Sequence, residues 1–382
     1  MRNIVGQTPR GDDFYPRADL VNKIYRRLEA GNHLFLSAPR RAGKTSIMRF
    51  LEDNPRAGYA FIYVNTEDIE EAEDFFKLIA EKLLDSQVIK KITKVVEDSK
   101  SVFAQFAEQI TKIKIGSFEL QREGSEEVST YRKEFETLMQ RLNTKAFSII
   151  MLLDEFPVTL ENIKNKKGEF EAVNFLHINR SIRQQANSGI QFVYTGSVGL
   201  SAIAGKMKAT ATLNDLNIIE IPPFTKEEAI AFATELLDTY KVIYEADVID
   251  YLLNRLQWLM PFFIQLVIQV LIDEFESNGQ KVSRATVDKA FTKSSTHRSN
   301  LYFENYYTRL DKSLSPDEAA SAKEILKRIA NENELSAKAF KDIDKAASVL
   351  EMLELDGYIN ANQNAYRFNS PILRDWWKKY AN

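Results

Sequence analysis

The stretch His33-Leu34-Phe35-Leu36-Ser37-Ala38-Pro39-Arg40-Arg41-Ala42-Gly43-Lys44-Thr45 decides how the rest of the chain is read. Its first five residues form an apolar run that suits a buried strand, and Thr45 to Leu51 begin a helix. A tight loop between strand and helix gathers backbone N–H groups and the positive helix end around one anion. Gly43 lets the backbone approach phosphates, Lys44 is placed to reach the β- and γ-phosphates, and the Thr45 hydroxyl to ligate Mg²⁺. The pattern G-x-x-x-x-G-K-[ST] is met except at its first position, Ala38. Pro39 biases Ala38 toward extended geometry, which alanine tolerates. The competing reading is a chance Gly-Lys-Thr on a surface turn, and the flanking strand and helix count against it. The expectation is a cradle over Ala38 to Ser46 for ATP or a close relative.

A phosphate loop of this kind needs an acidic partner at the end of another buried strand. Phe147 to Leu153 is such a run, ending in Asp154-Glu155. Asp154 can hold the Mg²⁺ hydration shell, and Glu155 can orient or deprotonate an attacking water. Two ordinary surface acids at a strand end are the alternative. Because one strand separates the two motifs, the pattern points to the P-loop branch with an added central strand and a catalytic glutamate. The strand Ile190 to Tyr194, ending in Thr195-Gly196-Ser197, is expected between the motif strands. Thr195 and Ser197 there are candidates to touch a γ-phosphate, against an ordinary strand-end turn. Arg180 and Arg183 lie at i, i+3 on the preceding helix; they are read as a solvated face or as an arginine finger across a subunit interface.

Working outward, Asp19 to Leu28 has helical spacing, as do Asp74 to Leu84, Tyr131 to Leu142 and Glu171 to Gln185. Tyr59 to Val64 and Ile218 to Ile221 read as further strands. Residues 86 to 130 are irregular, with a possible hairpin around Ile113 to Leu120, and are read as a variable insertion. Continuous apolar strands alternating with helices imply a parallel sheet covered on both faces. After Pro223 only helices follow. Thr225 and Glu228 form an expected capping box, and helices fit Glu245 to Leu256, Leu259 to Phe275 and Arg284 to Lys293. The expected domains are 1–223, 224–311 and 312–382.

The last segment reads as helices at Pro316 to Ala330, Lys338 to Ile343 and Lys345 to Leu355, then a small hairpin through Tyr358-Ile359 and Ala365 to Phe368. That is a winged-helix pattern. Its second helix carries Lys345 but also Glu351, Glu354 and Asp356, a balance that favours protein contact or an autoinhibitory lock over duplex DNA. Trp376-Trp377 is expected to be one core plug and one exposed ring.

The 382 residues are 44% hydrophobic and 27% charged with a net charge of -3, so the chain is ordinary globular material without the basic excess of a dedicated duplex binder. No cysteine is present and there are 3 histidines, which excludes disulfides and thiolate metal sites. The longest apolar segment, Leu259 to Ile272, is interrupted by Gln265 and Gln269 and is too short to span a bilayer. A cytoplasmic protein with no membrane segment is expected.

Gly11 to Arg17 and Ala38 to Ser46, together with Leu153-Asp154-Glu155, Thr195-Gly196-Ser197, Leu213 to Leu216, Pro222-Pro223-Phe224, Pro261 to Gln265 and Tyr366 to Trp377, carry a family pattern. It resembles the archaeal and bacterial AAA+/STAND-like P-loop ATPases, more narrowly the archaeal-ATPase clade related to origin-recognition ATPases. The resemblance covers nearly the whole chain. It implies an α/β P-loop NTPase of AAA+/ASCE type, with Walker A and Walker B motifs, a helical lid and a C-terminal winged helix. It also implies that Ile4 to Arg17 lines the adenine pocket, with Arg17 matching the family's box. The chain has Pro16 where that box usually carries glycine, and no arginine beside Pro261, where many AAA+ lids supply one. The function implied is a Mg²⁺-dependent ATPase cycling between ATP and ADP, working as a molecular switch with a protein partner and a nucleotide-dependent oligomer. A DNA-binding ATPase of origin-recognition type and a nucleotide-locked scaffold with little turnover stand as alternatives.

Overall fold

The computed structural model describes residues 1–85, 131–141, 148–185, 189–196, 199–295, 300–362 and 365–381. The expected insertion 86–130 with its hairpin, and Ser197, lie outside the described residues. The chain divides into two compact units. One comprises Pro16–Ser37 and Ile47–Glu220; the other gathers Met1–Tyr15, Ala38–Ser46 and Ile221–Asn382.

The first unit is built on five parallel strands: β1 (His33–Ser37), β2 (Tyr59–Asn65), β3 (Ser148–Asp154), β4 (Ile190–Thr195) and β5 (Leu216–Glu220). Their order is β2-β3-β4-β1-β5. β4 thus lies between the two motif strands, as the spacing of the motifs implies. Ile149 to Leu153 have no exposure at all, the continuous apolar run of a strand covered on both faces. Helix α1 (Ala18–Glu29) buries Leu20, Val21, Ile24, Tyr25 and Leu28, one stripe at helical spacing. Helix α2 (Lys44–Asp53) opens within the stretch Ala38–Ser46. Helices α3 (Ala72–Leu83), α4 (Tyr131–Arg141), α5 (Phe156–Lys167), α6 (Glu169–Arg183) and α7 (Leu200–Lys206) complete this unit. Phe75, Phe76, Phe135, Phe156 and Phe175, all fully buried, share one core cluster with the strands. β5 runs Leu216–Glu220 rather than Ile218–Ile221; as the edge strand it leaves Ile218 56% exposed, so its apolar pattern marks it poorly.

The second unit begins its helices at α8 (Lys226–Thr239), where the Thr225 hydroxyl and the Glu228 carboxylate close the expected capping box. Helices α9 (Val248–Leu256), α10 (Pro261–Asn278), α11 (Arg284–Ser294) and α12 (Asn300–Ser313) follow. Among the described residues no helix, α10 included, is long and apolar enough to cross a membrane.

Next comes α13 (Pro316–Glu332), started by a Ser315/Glu318 capping box with Pro316 in its first turn. β6 (Leu335–Ser336), α14 (Ala346–Leu355), β7 (Ile359–Asn362), β8 (Ala365–Phe368) and α15 (Pro371–Tyr380) close the chain. The three strands pair antiparallel in the order β6-β8-β7, a winged helix. Three expectations are corrected here. Lys338 to Ile343 is not an α-helix but a single 3₁₀ turn over Ala337–Phe340. Trp376 and Trp377 are both buried, because α15 presents both rings to Phe303, Tyr307, Tyr358 and Phe368. Asp356 is not a surface acid of α14: it is 4% exposed.

Candidate nucleotide site

Parallel strands present their carboxyl ends along one edge, where open α/β sheets bind ligands. At this edge β3 ends in Asp154, 3% exposed, and β4 ends in Thr195, fully buried. Asn65 of β2 is in register with Asp154, and Thr195 of β4 with Leu36 of β1. Asp154 is held from several sides. The Tyr63 hydroxyl donates to its Oδ2 at 2.8 Å, and the Glu155 N–H to its Oδ1 at 3.1 Å. Its carbonyl accepts from the Thr66 N–H and hydroxyl. Burial, and then the Asp154 carboxylate, push the Tyr63 phenol far above its ordinary range, so it stays a donor. The Arg49 guanidinium lies over the Tyr63 ring, 3.4 Å from its centroid.

Glu155 has φ 58°, the left-handed region that side chains other than glycine, asparagine and aspartate seldom enter. It is the residue before α5, so the chain turns sharply straight after the strand's last acid. Such strain collects at functional positions. The Thr195 hydroxyl has no hydrogen-bond partner among the described residues. Gly196 follows it because a Cβ there would lie 2.3 Å from the ring of Pro157.

The loop Ala38–Ser46, the candidate phosphate cradle, belongs to the second unit and is clasped there on three sides. Arg41 (φ 66°) and Gly43 (φ 87°) both take left-handed conformations, which bends the loop around its own amides. The Lys44 ammonium donates to the Ala38 and Pro39 carbonyls at 2.8 and 3.0 Å. Ala42 and Ser46 are buried, Thr45 half-buried. Arg40 donates to the Asn305 side chain at 2.9 Å, and Arg41 lies over the rings of Phe262 and Tyr302. Gly357, in the turn after α14, abuts Pro39 so closely that a Cβ would come within 2.4 Å of it. The helical region and the winged helix therefore both touch this loop.

Arg17, Arg180 and Arg183 belong to the first unit. Arg17 is buried directly before α1, where its carbonyl accepts from the Val21 N–H. Arg183 is no solvated face and no outward finger. It is 5% exposed, and its guanidinium grips Asp215 with bonds of 2.7 and 2.8 Å and donates to the Thr212 carbonyl. Arg180 is half-buried, with its Nε lacking a partner among the described residues. Sequence reasoning missed Tyr63 and Thr66, the side chains that fix Asp154. Their one signal is polarity at the end of an apolar strand, which many strand ends share.

A parallel sheet in this order, with the loop Ala38–Ser46 after β1 and Asp154-Glu155 at the end of β3, is a P-loop α/β fold of AAA+ type, carrying a C-terminal winged helix. Neither a family model nor a curated protein sequence matches the chain. Among solved structures, the fold is shared with the Walker-type ATPase paby2304 of Pyrococcus abyssi, at a TM-score of 0.67 and 16% identity over 99% of this chain and 100% of that one. The Aeropyrum pernix ORC2 protein, solved as ADPNP-ADP complexes, gives a TM-score of 0.54 and 12% identity over 96% of this chain and 94% of that one. At these identities the likeness is one of fold.

Proposed function

We propose that the chain binds ATP and hydrolyses it with Mg²⁺, acting as a molecular switch whose helical region and winged helix follow the nucleotide. The observation that carries this is the strand order: β4, with the Thr195 hydroxyl at its end, separates β1 from the strand that ends in Asp154-Glu155. In this reading Ala38 to Ser46 hold the phosphates and Arg17 belongs to the adenine side. Thr45 and Asp154 offer hard oxygen donors suited to Mg²⁺, which would neutralise phosphate charge when bound. Further ligands to such an ion would come from phosphate oxygens and water. Lys44 meets the β- and γ-phosphates, Glu155 activates the attacking water, and Thr195 senses the γ-phosphate.

The switch rests on the contacts of Pro39, Arg40 and Arg41 with Gly357, Asn305, Phe262 and Tyr302, which couple the loop to both C-terminal modules. The Aeropyrum pernix ORC2 protein was solved with ADPNP and ADP, which agrees with an adenine nucleotide. The exposed positions of α14 include Glu351 and Glu354, which favours a protein partner over the phosphates of a duplex. Steady-state turnover is the test. Glu155→Gln is expected to retain nucleotide and lose turnover, and Lys44→Ala to lose nucleotide. Full turnover in the glutamine variant would remove Glu155 from the reading.

A further inference from the structure

Glu155 holds a backbone conformation that a side chain resists, and the helix that follows it is pinned on both sides. At φ 58° and ψ 29° the residue is left-handed, a state that persists only where its surroundings over-determine it. β3 lies between β2 and β4, and α5, which starts directly after Glu155, is fixed beyond the end of each neighbour.

On the β4 side, the Phe156 ring meets the Tyr194 ring edge to face, with centroids 4.7 Å apart. Pro157 fills the space left by the missing side chain of Gly196. On the β2 side, the fully buried Thr159 donates its hydroxyl to the Thr66 carbonyl at 2.6 Å, and that hydroxyl lies 2.7 Å from the Thr66 hydroxyl. The Asn162 side chain donates to the Glu67 carbonyl at 2.8 Å. Thr66 in turn donates from its hydroxyl to the Asp154 carbonyl, and the Glu155 carbonyl accepts from the Val158 and Thr159 N–H groups. A closed ring of bonds therefore runs from Asp154 through Thr66 and Thr159 back to Glu155.

The Thr159 hydroxyl is not needed to satisfy its partners. A helical threonine ordinarily bonds a carbonyl of its own preceding turn, whereas this one reaches out of the helix. The Thr66 carbonyl already accepts from the Ile69 N–H at 3.1 Å, and the Thr66 hydroxyl is spent on Asp154. Valine would fill the same volume and strand no polar group. What the hydroxyl adds is a fixed distance between α5 and the end of β2.

We infer that Thr159 and Pro157 are positioning residues for Glu155, an inference that rests on the reading of Glu155 as the group that activates water. The left-handed turn sets the direction in which the Glu155 side chain leaves the backbone, and the pins on α5 keep that turn from relaxing. Pro157 sets the helix against the end of β4 and Thr159 sets it against the end of β2. Both act through Glu155.

Turnover of the full chain is measured beside its affinity for a non-hydrolysable ATP analogue. Thr159→Val is expected to lower kcat by about tenfold to a hundredfold, as a shift of up to about 1 Å in a reacting group does, with the analogue's Kd unchanged. Thr159→Ser returns the donor and is expected to recover most of the loss. Pro157→Ala, which removes the ring from Gly196 and no hydrogen bond, is expected to lower kcat in the same way, and it decides the matter should the valine variant fail to fold. Added to Glu155→Gln, Thr159→Val is expected to change the residual turnover no further, because the group it positions is already gone. Full turnover in Glu155→Gln alone overturns the reading of Glu155. With that reading intact, an unchanged kcat in Thr159→Val or Pro157→Ala overturns the role of that residue, and so does a Kd that rises in step with the loss. Failure of Thr159→Ser to recover kcat, or a second full loss on top of Glu155→Gln, overturns the positioning by the hydroxyl.

Discussion

The Tyr63 hydroxyl donates a 2.8 Å hydrogen bond to Oδ2 of Asp154, across two neighbouring strands of one sheet. The bond fixes the carboxylate and uses one of its lone pairs. Tyr63→Phe removes the donor and keeps the ring under Arg49. Expected is a loss of about 1 kcal/mol in stability. Expected too is a several-fold rise in the Mg²⁺ concentration that half-saturates turnover, read from a metal titration at fixed ATP.

Arg183 and Asp215 are a second pair, and theirs is structural. Removing one partner from a buried ion pair leaves the other charge stranded, so Arg183→Ala is expected to cost about 3–5 kcal/mol. Urea unfolding of the variant checks this. Burial raises the Asp215 pKa, but the Arg183 bonds and charge outweigh it and hold the group below its ordinary value. Its contribution is therefore full above that ordinary value and fades as the pH falls through the lowered one.

Asp356 has the opposite sign. Burial, opposed by Arg309, Arg40 and Lys44, pushes it from 3.8 up to about 6. Between those values the folded chain holds a proton that the unfolded chain has released, so stability falls as pH rises through that window and levels off above it. The loss from this one group is on the order of 3 kcal/mol. Asp356→Asn should lack that step, which parallel urea titrations across the window will show by difference.

The tryptophans offer an optical check. Trp258 is 9% exposed, Trp376 1% and Trp377 0%. Native emission should therefore be blue-shifted and resist iodide, and Trp377→Ala should cost about 3–5 kcal/mol by emptying the winged-helix core. Strong quenching of the native protein would contradict the burial of both rings.

Periodicity and punctuation were enough to read the five strands and most helices. β3 is legible because both its faces are covered and its apolar run is unbroken. α5 is not: its buried residues Phe156, Pro157, Thr159, Leu160 and Ile163 include a proline and a threonine, and its last turn is lysine-rich. α12 is not read either: it buries Phe303, Tyr306 and Leu310, but the polar Asn305 and Arg309 lie between them and break up the apolar pattern. The phosphate loop and the acid pair are local signals, visible as words in the chain. The supports of the site are not local. Nothing in the spelling of Tyr63 or Asp356 says what they face, and Arg183 reads as surface because its partner Asp215 comes 32 positions later.

The clasp between Arg40 and Asn305 joins residues 265 positions apart. A ribosome adds about 5–20 residues per second, so the phosphate loop waits roughly ten to fifty seconds for its partners to emerge. The loop is therefore made well before the residues that clasp it. During that interval the most legible motif of the sequence is a short stretch without its clasp, and its final shape depends on residues far downstream.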